Sequence, residues 1–233
     1  MPADAFDSPG PGAPAPGTAP SAGDLDEAGD QRLVTLSDGV VAIALTLLIL
    51  GIQVPSPDSL RDPDSVSALA GALSHTVDGW IGYLIAFYAI TQFWLVHRHF
   101  FRGVRGDRDG VAAWNFLFLF TITVMPFTSD LLGKYPENPL SVIIFSANLV
   151  LATLARFGML WFVRRHHLLD VKDTPARAQF GSMQGIVNIF FYVLAMPVAL
   201  ASPDLAKFCW LGLALSPKIS MLITRRREAR RAG

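Results

Sequence analysis

The chain has 233 residues, 52% hydrophobic and 16% charged, with a mean hydropathy of +0.40. That balance excludes an ordinary soluble domain and points to a polytopic membrane protein. Its 19 basic and 19 acidic residues cancel, but acids crowd the N-terminus and bases fall in three later stretches, a distribution that argues against a nucleic-acid partner.

Residues 1–30 are rich in Pro, Ala, Gly, Ser and Asp and hold no apolar run. The composition predicts a disordered tail, and it lacks the positive start and apolar stretch of a signal peptide. The first predicted span runs from about Leu33 to Val54, stopped by Pro55. Its stretch Arg32 to Leu50 is nearly continuously apolar, and about 18 residues at 1.5 Å each cover a bilayer's hydrocarbon thickness. An acid inside a spanning helix is costly, so Asp38 is expected at the interface or against a bundle partner, away from lipid. Ile43, Thr46, Leu47 and Leu50 follow at i, i+3, i+4 and i+7 and share one helix face.

Ser65 to Leu73 predicts a short helix at the outer surface. Further spans are predicted at about Val77–Phe101, Val111–Leu132, Leu140–Val163, Met183–Ala201 and Leu205–Thr224, which makes six. Residues 31–224 thus form one all-α transmembrane domain, followed by a basic tail at 225–233. Arg98, Arg102, Arg105 and Arg108 follow span two, Arg164, Arg165, Lys172 and Arg177 follow span four, and five arginines close the chain. The alternate loops hold only Arg61, Lys134 and Lys207. By the positive-inside rule both termini are cytoplasmic, in a multi-pass cell-membrane protein.

The first span resembles the opening helix of the transmembrane protein 175 potassium channel family, in its prokaryotic, single-repeat form. The likeness rests on Arg32, Leu36-Ser37-Asp38-Gly39 and Ala42-Ile43-Ala44-Leu45-Thr46-Leu47-Leu48, with Leu36 where the family has Phe. Phe93-Trp94-Leu95-Val96-His97-Arg98 is similar to the end of the family's second helix. Trp114-Asn115-Phe116 through Met125-Pro126-Phe127 is similar to its third. The resemblance implies a homotetramer in which helix 1 of each copy lines one central, potassium-favouring pore. It also implies that Ile43 is the constriction, Thr46 a hydroxyl ring, and Leu47 and Leu50 further apolar layers.

Spacing alone reads the Ile43 stripe as helix-packing surface. As a pore lining, an apolar ring would close by dewetting and hydroxyls would replace part of an ion's hydration shell. Potassium, the implied partner, loses water more easily than sodium. No TVGYG filter is present.

Arg32, Ser37, Asp38, His97 and Asn115 are the motif and helix-anchoring candidates. Asp38 and Ser37 are expected to tie helix 1 to its neighbours, with His97 and Asn115 as partners, fixing the rotation that aims Ile43 at the axis. His97 and His99 point to different sides of a helix, and His166 and His167 are adjacent, so neither pair suits a metal. Asn148, Asn188, Gln184 and Arg156 read as polar glue between helices. The lone Cys209 excludes an intrachain disulfide and reads as packing. No catalytic constellation and no cofactor motif appears. The rival readings are a proton leak or secondary transporter, which would want midplane acids or matched broken helices, and a non-conducting scaffold.

Overall fold

The computed structural model describes residues 22–104, 109–168, 175–210 and 221–223. It is helical throughout its long elements: α1 Ala22–Leu47, α2 Val66–Ser74, α3 Val77–Arg102, α4 Asp109–Lys134, α5 Pro139–Arg165, α6 Pro175–Ala201 and α7 Pro203–Cys209. Five stretches among the described residues are long and apolar enough to cross a bilayer: Gln31–Gly51, Val77–Arg102, Gly110–Lys134, Pro139–Arg165 and Met183–Ala201. They coincide with the first five expected spans. Of the sixth, α7 and residues 221–223 are described, and 211–220 lie outside the described residues.

Two boundaries differ from expectation. Helix α1 begins at Ala22, inside the stretch expected to be a disordered tail. At the other end the α-helix stops at Leu47 and tightens into a 3-10 turn over Leu48–Gly51 before Ile52 turns extended, so the helix does not continue to Val54. Val54 precedes Pro55, and the proline ring steers that residue away from helical angles. The short helix expected between the first two spans is present as α2, with the Ser65 hydroxyl capping the Ala68 amide and no buried residue.

The bundle is built around α4, which packs on α5, α3 and α1. Small residues let backbones approach closely, as expected where lipid removes the usual hydrophobic drive between helices. A Cβ on Gly133 of α4 would lie 2.8 Å from the Gly79 Cα of α3, and one on Gly158 of α5 would strike the Trp114 ring. Pro126 within α4 cannot donate to the Ile122 carbonyl. Asn148 of α5 donates to the adjoining Thr121 carbonyl at 3.0 Å, linking the two helices there.

Helix α1 is the least embedded span. Only 22% of its apolar stretch is buried, against 56% for α5. Its inward stripe is Ser37, Val41, Ala44 and Leu48, all 3% exposed or less, and it seats on α3 and α4.

Candidate functional site: a polar anchor behind an uncovered helix face

The i, i+4, i+7 and i+11 spacing of the inward stripe puts a hydroxyl at its start and apolar side chains beyond. Ser37 donates its hydroxyl to the Leu33 carbonyl in the turn below, at 2.8 Å. Asn115 of α4 donates its amide to the Ser37 oxygen at 2.9 Å, and the Asn115 carbonyl oxygen lies 2.7 Å from His97 Nε2 of α3. Because Asn115 spends its N–H on Ser37, its oxygen is the acceptor, so His97 carries its proton on Nε2. Three spans are thereby joined by one directed chain of bonds. The chain is buried: Ser37, His97 and Asn115 are 1%, 2% and 0% exposed. The His97 ring stacks on Phe118 at 5.0 Å between centroids and tilts against Phe101 at 4.7 Å.

Asp38 lies one residue round the helix and outside this buried chain. Its partner is Trp94 of α3, whose indole N–H donates to Asp38 Oδ1 at 2.8 Å. The guanidinium of Arg98, one turn on, stands 5.4 Å from the Trp94 ring centroid, within cation–π reach. Asp38 thus meets the edge of the indole at its N–H, and Arg98 its face. Arg32 is exposed and belongs to neither chain of bonds. Trp94 was legible only as part of the helix 2 motif. The further signal was that Trp94, His97 and Arg98 recur at i, i+3 and i+4, which stacks them on one side of α3.

The stripe Ile43, Thr46, Leu47 and Leu50 is uncovered. Ile43, Leu47 and Leu50 are 60%, 44% and 71% exposed, and Thr46 is exposed with them. The Thr46 hydroxyl donates to the Ile43 carbonyl at 2.8 Å. Its proton is therefore committed to its own helix, and its remaining lone pairs are free to accept. A second polar group lies deeper among α3, α5 and α6, where Tyr88, Gln92, Arg156, Gln184, Asn188 and Tyr192 surround a small cavity. Among the described residues, no group of three or more His, Cys, Asp or Glu is placed to hold a metal ion.

Residues 32–126, from the start of the membrane part of α1 to Pro126 of α4, match the family described as the endosomal/lysosomal potassium channel TMEM175. Over those residues the chain is similar to the TMEM175 family. A potassium channel of Chamaesiphon minutus is 33% identical over 132 residues, which cover 56% of this chain and 63% of that protein. A potassium channel of Streptomyces collinus is 29% identical over 194 residues, covering 78% of this chain and 90% of the relative. Both of these relatives are bacterial. The crystal structure of a lysosomal potassium-selective channel TMEM175 homolog from Chamaesiphon minutus superposes with a TM-score of 0.69 at 22% identity, covering 83% of this chain and 98% of that one. At that identity the likeness is one of fold.

Proposed function

We propose that this chain is the subunit of a potassium-favouring, leak-type cation channel of the cell membrane. Four copies would surround one axis with α1 innermost, and both termini would be cytoplasmic. The observation that carries the reading is the two-sidedness of α1. Its Ser37, Val41, Ala44 and Leu48 side is sealed against α3 and α4, while its Ile43, Thr46, Leu47 and Leu50 side is bare in the single chain. One chain cannot enclose a pore with one uncovered stripe, and a ring of copies can. The relatives' names supply the ion, and the sixth span of the reading returns the C-terminus to the side of the N-terminus.

In this arrangement Ile43 forms the narrow apolar ring, and Leu47 and Leu50 continue it. Thr46 contributes oxygens whose protons are already used, so each ring of hydroxyls offers lone pairs to a passing cation and few competing donors. Replacing hydration with a few weak oxygen ligands favours the ion that is easier to dehydrate. The buried Ser37–Asn115–His97 chain and the Asp38–Trp94–Arg98 stack act behind the lining, fixing the rotation of α1.

The test is cation flux from liposomes holding the purified full chain. Potassium flux exceeding sodium flux, raised severalfold by Ile43→Asn and with its ion preference altered by Thr46→Ala, is expected. Correctly assembled protein that passes no cation in any of the three forms would return the chain to a scaffold reading.

A further inference from the structure

A groove of about 500 Å³ lies between α5 and α6, lined by Phe157, Leu160, Trp161, Arg164, Arg165 and Ile186. Phe157, Leu160, Trp161 and Arg164 follow one another at helical spacing on one side of α5, and Ile186 faces them from the first turns of the α6 span. The two arginines occupy the last turn of α5, and Phe157 lies seven residues, about 10 Å, deeper along the helix. The groove therefore has a basic mouth at one membrane surface and an apolar floor running toward the interior.

Its walls are open to a ligand. Trp161 is 61% and Ile186 56% exposed. Arg164 and Arg165 are exposed too, and among the described residues no carboxylate pairs with either. The end of α5 is held firmly: Leu168 N–H bonds the Val163 carbonyl at 3.0 Å and His167 N–H the Arg164 carbonyl at 3.4 Å, with His167 in the left-handed conformation at φ 55°. That closing pattern fixes where the arginines leave the helix. The bare stripe of α1 is elsewhere, on a helix that packs against α3 and α4, so the groove does not compete with the proposed axis.

We infer that this groove binds an anionic phospholipid, with its phosphate on Arg164 and Arg165, its glycerol level beside Trp161, and the start of one acyl chain along Phe157, Leu160 and Ile186. Guanidinium forks match phosphate oxygens two at a time, and indole prefers the headgroup level. Basic recesses between spanning helices are suited to such headgroups. A zwitterionic lipid would bring its own cation to the two arginines, so the preference is for net negative charge.

The test uses the full-length protein in mixed micelles with phosphatidylglycerol and phosphatidylcholine, with lipids retained after washing counted by native mass spectrometry. Preferential retention of phosphatidylglycerol is expected. It should fall about fivefold for each arginine replaced in Arg164→Gln and Arg165→Gln, as the attraction per basic residue at an anionic surface implies. The Arg164→Lys/Arg165→Lys protein, which keeps charge and topology, should retain most of the preference. Phosphatidylglycerol brominated in its acyl chain should quench fluorescence more than the phosphatidylcholine equivalent, and Trp161→Phe should remove the excess. Three outcomes overturn the inference. One is an unchanged preference in the double Gln variant. Another is an equal loss from Arg102→Gln, which would signify surface charge alone. The third is a change of oligomer mass in place of lipid retention, which would make the groove a contact between copies.

Discussion

Asn115 is the residue on which the anchor turns, because it bonds both Ser37 of α1 and His97 of α3. Asn115→Leu fills a similar volume but leaves the His97 Nε2–H without an acceptor and removes the tie to Ser37. A buried donor without a partner costs about 1–3 kcal/mol, and bonds between spanning helices measure at the lower end of that range. The expected loss is therefore about 1–2 kcal/mol, read from thermal unfolding of the detergent-solubilised protein. Ser37→Ala leaves one amide N–H of Asn115 unpaired and should cost less, because the His97 bond survives. The two losses should be less than additive when combined, since both break the same link. Asp38 obeys a different logic. It accepts from Trp94, and an asparagine oxygen at position 38 accepts equally well, so Asp38→Asn tests the charge and only Asp38→Ala tests the bond.

At the scale of the element, periodicity and length made the five long spans legible, while their ends and their partners were less so. The start of α1 was hidden because Gly and Asp in residues 22–30 read as tail composition, and only the helix beyond them supplies the register they extend. Its end was hidden because Val54 and Ile52 are as apolar as Leu48, and nothing in hydropathy distinguishes a 3-10 turn from the helix it closes. Ser37, Asn115 and His97 could be named as a group from their motifs. That Asp38 takes Trp94, leaving His97 to Asn115, depends on the rotation of α1 against α3, which the sequence pattern does not specify. Helix crossings were similarly obscure, although glycine marks them. At Gly133 the added methyl of Gly133→Ala would meet the backbone of Gly79, which cannot swing aside as a side chain would. The α3–α4 pair must then separate, at a cost of about 1–3 kcal/mol. Gly71→Ala, where a Cβ meets nothing, supplies the control on exposed α2 and should leave the unfolding temperature unchanged or slightly raised.

For the whole molecule the decisive question is what covers α1. The stripe of Ile43, Leu47 and Leu50 would meet ions and water around an axis, and acyl chains against lipid. The two environments differ in water. A cysteine facing a pore meets water during opening and ionises, whereas one facing lipid stays a neutral thiol that charged reagents cannot reach. In a Cys209→Ala background, cysteines at Ile43, Leu47 and Leu50 should react with a small cationic thiol reagent and change potassium flux in liposomes. Cysteines at Val41 and Ala44, sealed at 3% and 2% exposure against the bundle, should not. Reaction rates should fall as potassium rises if the ion occupies the same path, because reagent and ion would compete for one file. Should the stripe positions react only with an apolar maleimide, with flux unchanged, α1 would face the bilayer and the axis would have to be built from another helix. Native mass of the same samples should read four times the 25.3 kDa chain, tying the reactive stripe to the assembly that encloses it.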